Sequence, residues 1–328
     1  MKERVHYIDM AKGFAMVTIV MLHIVSSNLK GDAALMVNFF NGSFGTMLFF
    51  FLSGMVVAVG GANFSRWKEA WNFVLKKTKT LLLPFVVWSV LIMPYIYERS
   101  DIHDFFQILI APFVPPFYGY WFLLYLFVIQ MVFMGIKVVS SRLSTFIRND
   151  FVREMLMAVP FSLLLFPIYE YVLIFLLGYF FLRYGSRFLF GNIVMIFSLC
   201  LFVMLFTLDR DKCGEDLSLY IKFIMALSGI LSIMGVIKRI DLTCESHNNF
   251  CELLCFVGCH SLEVYLLHYY LTWICRDVYI SVTDIHAIPL YFIVFAFAFL
   301  ICILCCYIAD VLKKNPYISF MLFGTIKR

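Results

Sequence analysis

Charge is scarce in this chain. Asp, Glu, Lys and Arg together make up 14% of its 328 residues, against about 25% in an ordinary soluble domain. Hydrophobic residues reach 63%, and the mean hydropathy is +0.91. The shortage excludes a water-soluble globular fold and points to a polytopic membrane protein. Familiar catalytic signatures are missing as well: no Walker-type glycine loop, GxSxG elbow, HExxH helix or internal repeat occurs. Long loops are also absent. The longest inner ones, near 62–79 and 238–254, hold fewer than twenty residues, so no second folded domain fits between spans. The expectation is one integral-membrane domain over 1–328, with no appended soluble domain.

No cleavable leader is evident, because the first apolar run is long enough to span and lacks a clear small-x-small exit. Of the ten cysteines, only Cys213 and Cys275 fall near the outer side, where a disulfide could form. Cys251, Cys255 and Cys259 repeat every four residues beside His260. That is a helical stripe of small thiols suited to helix packing, not the paired spacing of a zinc site, and no metal is expected.

Ten spans of roughly the required ~20 residues can be laid down: 8–26, 44–61, 80–97, 119–137, 154–169, 170–184, 190–208, 217–237, 255–275 and 288–312. The fifth and sixth share one apolar region, split by a turn placed at Pro167 and Glu170. Residues 105–118 are apolar but too short to span, and read as a re-entrant or interfacial piece. With the N-terminus inside, 20 of the 26 Lys and Arg residues lie on the inner side. Five (Lys30, Arg99, Arg210, Lys212 and Arg276) lie outside, and Lys222 falls within a span. The fold class is therefore an all-α polytopic membrane protein of about ten transmembrane helices, N-in and C-in. The same distribution explains the net charge of +5 without nucleic acid.

Ionisable groups at membrane depth are costly and usually face a bundle interior or a water-filled cavity. In the first span, Lys12 and His23 are 11 residues apart, 20° past three whole turns, and so share a face. Asp9 and Ser27 fall on that face too. Lys12 could equally snorkel while His23 simply packs. In the second span, Ser53 and Gly54 bring a hydroxyl and a close-approach position into apolar helix, which plain helix packing also explains. Lys76, Lys77 and Lys79 stand at the inner rim before the third span. They could hold a phosphate-bearing ligand such as coenzyme A, or act as positive-inside anchors. Trp121 opens the fourth span as an aromatic-belt residue. In the ninth, Glu263, Tyr265 and His268 fall within six residues. Tyr265 and His268 are one turn apart, and His268 sits in the outer half of its span as His23 does.

The run from Arg4 through Asp9 and Lys12 to His23 resembles the opening of the acyltransferase family 3 membrane proteins, most closely the sugar O-acetylase branch typified by fucose 4-O-acetylase-like proteins. The resemblance continues with Phe50-Phe51-Leu52-Ser53-Gly54, Tyr120-Trp121-Phe122-Leu123 and Val264-Tyr265-Leu266-Leu267-His268, in the expected order over nearly the whole chain. One departure concerns the family's Arg-x-x-Arg pair, where this chain has Lys76 and Lys79. Lysine keeps the charge but loses bidentate phosphate recognition.

The resemblance implies transfer of an acyl group, usually acetyl, from cytoplasmic acetyl-CoA or another acyl-CoA to a sugar hydroxyl. The acceptor would be a cell-envelope polysaccharide or its lipid-linked precursor, in a bacterial cytoplasmic membrane. It casts His23 as general base, Lys12 on the donor side and Ser53 orienting thioester or histidine, with His268 as a second catalytic candidate. The rim lysines 76, 77 and 79 would hold the donor's phosphates. Asp9, Gly54, Trp121, Glu263 and Tyr265 are further candidates. Partners would be the acyl-CoA, the glycan acceptor, the bilayer and glycan-assembly proteins. Two other classes fit the same polar stripe: a transporter or flippase of a glycan precursor or small anionic solute, and a non-catalytic subunit of a glycan-modifying complex.

Overall fold

Backbone groups in hydrocarbon have no water to bond, so a chain this apolar must satisfy them within its own helices. The computed structural model describes residues 5–61, 64, 67–93, 119–163, 168–185, 191–212, 218–243, 249–274, 280–282 and 285–325, and these are almost entirely helical. The helices are α1 (His6–Asn28), α2 (Asp32–Gly60), α3 (Trp67–Lys77), α4 (Leu83–Leu91), α5 (Trp121–Arg142), α6 (Asp150–Leu163) and α7 (Tyr169–Phe180). They continue with α8 (Asn192–Lys212), α9 (Ser218–Thr243), α10 (Asn249–Cys259), α11 (Ser261–Ile274), α12 (Ala287–Leu312) and α13 (Pro316–Phe323). One π-helical turn, Thr78–Leu82, joins α3 to α4; another, Phe181–Gly185, ends α7. Two short strands, β1 (Leu29–Lys30) and β2 (Ile280–Ser281), pair in parallel.

Among the described residues, α1, α2, α5, most of α9 and α12 are long and apolar enough to cross a membrane. The bent pair α10–α11 makes a sixth if it is one span. Among the described residues, each of the ten expected spans overlaps a helix, with three corrections. The ninth is not straight: α10 and α11 meet at 86° around His260. There the imidazole Nδ1 bonds the Phe256 carbonyl at 2.9 Å, an acceptor that the His260 amide also uses. A side chain entering the backbone ladder in this way is a recognised cause of kinks. Glu170 belongs to the first turn of α7 rather than to a tight turn. The inner segment 62–79 is no plain loop, since it carries α3 and the start of the π turn. Residues 105–118, Pro167, Cys213 and Cys275 lie outside the described residues.

Packing divides the chain into two compact units, Met1–Gly61 with Leu173–Tyr307 and Ala62–Val172 with Ile308–Arg328. In the first, α1 is the hub and packs against α2, α9, α10 and α11. Two glycine crossings let backbones touch. A Cβ on Gly13 would stand 2.0 Å from the Leu254 carbonyl oxygen, and one on Gly258 1.8 Å from that of Asp9, so α1 and α10 fit only as drawn by glycine. The second crossing joins α2 to α7 at Gly54 and Gly178. Small residues at helix contacts are how membrane helices gain van der Waals packing where lipid removes the hydrophobic drive between them.

In the second unit, α5 packs on α6 and on the π turn, and α13 packs on α4. The connected end of the α5–α6 pair is fixed by an ion pair between Lys137 and the buried Glu154, and by Arg153, whose Nε donates to Ser140 Oγ at 3.0 Å. Gly324 caps α13 at φ 64°, a left-handed conformation that suits glycine, against the Lys79 carbonyl. In α3, Trp67, Trp71 and Leu75 recur every four residues and are 76%, 52% and 40% exposed. Such an apolar stripe backed by Lys68, Glu69 and Lys76 is the pattern of a helix lying in a membrane interface.

Candidate functional site

The first unit brings His23 and His268 together. They lie on α1 and on α11, the second half of the bent pair, and their ring centroids are 5.2 Å apart. Sequence spacing placed them at similar depth; the contact between α1 and α11 makes them neighbours. A third ring joins them. The Tyr269 hydroxyl is 3.2 Å from His23 Nε2, and its ring lies 4.7 Å from that of His23 and 4.4 Å from that of His268. Sequence reasoning missed Tyr269. It stands 100° round α11 from His268 but only 40° from Tyr265, so its i,i+4 spacing from Tyr265 was the signal that could have found it.

The proton positions follow from the partners. His268 Nδ1 lies 3.0 Å from the Val264 carbonyl, which can only accept. Nδ1 therefore carries the hydrogen, and Nε2 keeps its lone pair. That Nε2 is buried with no hydrogen-bond partner among the described residues. Buried polar atoms are normally satisfied, so an acceptor left open here marks a place for a water or a substrate hydroxyl. His23 Nε2 and the Tyr269 hydroxyl share one hydrogen, with the hydroxyl able to donate to a neutral imidazole or accept from a protonated one. Burial separates the two histidines: His268 is fully buried, whereas His23 is half-buried. His23 is the more accessible of the two.

The other candidates take varied places. Lys12 Nζ pairs with Asp9 Oδ1 at 2.6 Å, one turn back on α1, so the two polar residues of the stripe's inner end form one neutralised unit. Met16, between them and His23, is fully buried. Ser53 Oγ donates to the Phe49 carbonyl of its own helix at 2.8 Å rather than to either histidine. Gly54 sits at the α2–α7 crossing. Tyr265 is buried, with its ring 5.9 Å from that of His268. Glu263 is buried in the first turn of α11, where a helix N-terminus favours negative charge. The cysteine stripe lies on α10, before the bend, running from buried Cys251 to exposed Cys259.

In the second unit, Trp121 starts α5 in an aromatic cluster with Tyr125 and Tyr171, at 5.3 and 5.8 Å. Lys76 and Lys77 end α3, and Lys79 lies on the π turn. Lys76 and Lys79 are exposed, while Lys77 is half-buried with its ammonium 5.4 Å from the centre of the Phe73 ring. Burial, and then the neighbouring Lys76 charge, lower the Lys77 pKa to about 8.

No curated protein and no solved structure matches the chain. The family model of the acyltransferase 3 group, described as an acyltransferase domain, matches residues 5–307. That range takes in the whole of α1 from its lysine to its histidine, Ser53-Gly54, and the Tyr265–Tyr269 stretch of α11. The chain is thus a multi-pass membrane acyltransferase and belongs to acyltransferase family 3.

Proposed function

We propose that the protein moves an acetyl or similar acyl group from cytoplasmic acyl-CoA to a sugar hydroxyl of a cell-envelope glycan or its lipid-linked precursor. Its place would be a bacterial cytoplasmic membrane, as the family's sugar O-acetylase branch suggests. The observation that carries the reading is the half-buried His23 imidazole, held against Tyr269 and His268 on the outer half of α1.

In the reaction His23 Nδ1 takes the proton of the acceptor hydroxyl as its oxygen bonds to the acyl carbonyl carbon. The carbon–sulfur bond then breaks, and the thiolate leaves as CoA after regaining that proton from the imidazolium. A neutral imidazole suits this role near neutral pH. Tyr269 accepts from Nε2–H in both states, which leaves the Nδ1 lone pair for the proton and holds the imidazole in register. His268 fixes the other side of the ring. Ser53, bonded within its own helix, is a poor choice of nucleophile, and direct transfer needs none.

The donor's phosphates fit the Lys76, Lys77 and Lys79 group. Ammonium groups attract multiply charged phosphate without demanding its geometry. The test is acyl transfer itself: purified protein in lipid, acetyl-CoA labelled in the acetyl group, and a set of glycan acceptors. Label appearing as a base-labile ester on the glycan supports the reading. Label that stays on CoA with every acceptor, in protein shown to be folded, rejects it.

A further inference from the structure

An apolar cavity of about 410 Å³ opens next to the histidine pair, within the roughly 300–1,000 Å³ common for small-molecule sites. Ile24, the residue after His23, and Thr272, one turn beyond His268, form its edge toward the histidines. Leu290 and Val294 of α12 line its wall, and Leu29 and Ile280 of the β1–β2 clasp close its outer end. The clasp is locked by two further links: Val282 N donates to the Lys30 carbonyl at 3.0 Å, and Leu29 and Lys30 register with Ile280 and Ser281.

We propose that this cavity holds the hydrocarbon chain of a prenyl-phosphate-linked sugar, so that the acceptor reaches His23 from the bilayer rather than from bulk water. The inference rests on the acyl-transfer reading above and names its acceptor class. A sugar is the wrong occupant of the cavity itself, because apart from Asn28 and Thr272 its lining is apolar and most sugar hydroxyls would lose water without gaining partners. The Thr272 hydroxyl is spent on the carbonyls of His268 and Tyr269, both at 3.1 Å. A long acyl chain on the donor is the wrong occupant too. The charge rule sets the rim lysines inside, whereas the cavity lies beyond His23 toward the outer end of α1. Exposed Lys30 follows the lining residue Leu29 and its carbonyl accepts from the lining residue Val282, so its positive charge is carried beside the cavity, on the side where the phosphate of such a lipid would sit. Each methylene moved from water into the cavity raises affinity roughly fourfold, so a prenyl chain would dominate acceptor binding.

The experiment uses the full chain in lipid nanodiscs with a diazirine-bearing prenyl phosphate. Irradiation should label a peptide within residues 285–301, and unlabelled prenyl-phosphate sugar should reduce that labelling at least about tenfold. Enriching the nanodisc in phosphatidylglycerol should not. Leu290→Trp and Ile293→Trp both fill the cavity and should both lower labelling; Ile293 is largely exposed, so its variant retains the fold even if the buried Leu290 variant does not. Displacement by phosphatidylglycerol to the same extent, labelling that survives both tryptophans, or no labelling at all would overturn the proposal. If labelling fails while a short-chain soluble glycoside is still acetylated, the acyl-transfer reading stands and only the acceptor class falls. Labelling without acetyl transfer to any acceptor sinks the acyl-transfer reading and the acceptor assignment together.

Discussion

Gly54 is where packing and chemistry offer competing accounts, and Gly54→Ala separates them. An added Cβ would sit 1.9 Å from the Phe175 carbonyl oxygen and 2.9 Å from the Tyr179 nitrogen. Real Cβ contacts essentially never fall below 3.0 Å, so α2 and α7 must part by about 1.1 Å (3.0 less 1.9) at the crossing. The obstacle is backbone on both sides, and no flexible side chain can yield. Overpacking of this kind costs about 1–3 kcal/mol, or roughly 1.5–4 °C in apparent melting for a chain of this size. Gly178→Ala meets Phe51 oxygen at 2.0 Å across the same contact and should cost about as much. The double variant should cost less than the sum, because the first substitution already separates the helices. Thermal unfolding in detergent, read by intrinsic fluorescence or by aggregation, gives the comparison. A stable Gly54→Ala protein with lost activity would refute the packing argument and return Gly54 to the chemistry.

Tyr269→Phe removes one hydrogen bond to His23, worth about 0.5–1.5 kcal/mol; kcat should fall roughly two- to tenfold with KM for acetyl-CoA little changed, and an unchanged kcat would make the tyrosine a packing residue. Because Lys77 loses its proton as pH rises through about 8, acyl-CoA affinity should weaken between about pH 7 and 9. Lys77→Arg stays charged and should flatten that profile in a binding titration. Cysteines introduced at Glu69 and Lys30, both exposed, should label from opposite sides of the membrane, cytoplasmic and external respectively; labelling from one side would break the topology.

Much of the first unit is written in α1. The 11-residue interval from Lys12 to His23 places both on one face, and the depth shared with His268 anticipates a joint site. What spacing does not encode is how helices cross. Gly54 reads as a close-approach glycine, but its partner Gly178 lies on a helix more than a hundred residues away, and no periodicity links them. Tyr269 shares a face with Tyr265, one turn back, but its contact with His23 on another helix is hidden for the same reason. The kink at His260 needs an imidazole bonding back to Phe256, a choice among rotamers that the apolar run 255–275 cannot show. Helix α3 was hidden inside a charged loop, although Trp67, Trp71 and Leu75 recur at helical spacing. Asp9 and Lys12 could be placed on one face but not joined, since lysine has enough reach to pair elsewhere.

The account turns on His23 as the base. The decisive measurement is the rate of labelled acetyl transfer by His23→Gln in folded, lipid-embedded protein, beside its acyl-CoA affinity. Glutamine keeps hydrogen bonding but cannot take up and release a proton near neutral pH. The account predicts a rate lower by at least about a hundredfold, the lower end of general-base assistance, with acyl-CoA affinity nearly unchanged. Near-normal turnover in that variant would contradict it and shift the role of base to His268.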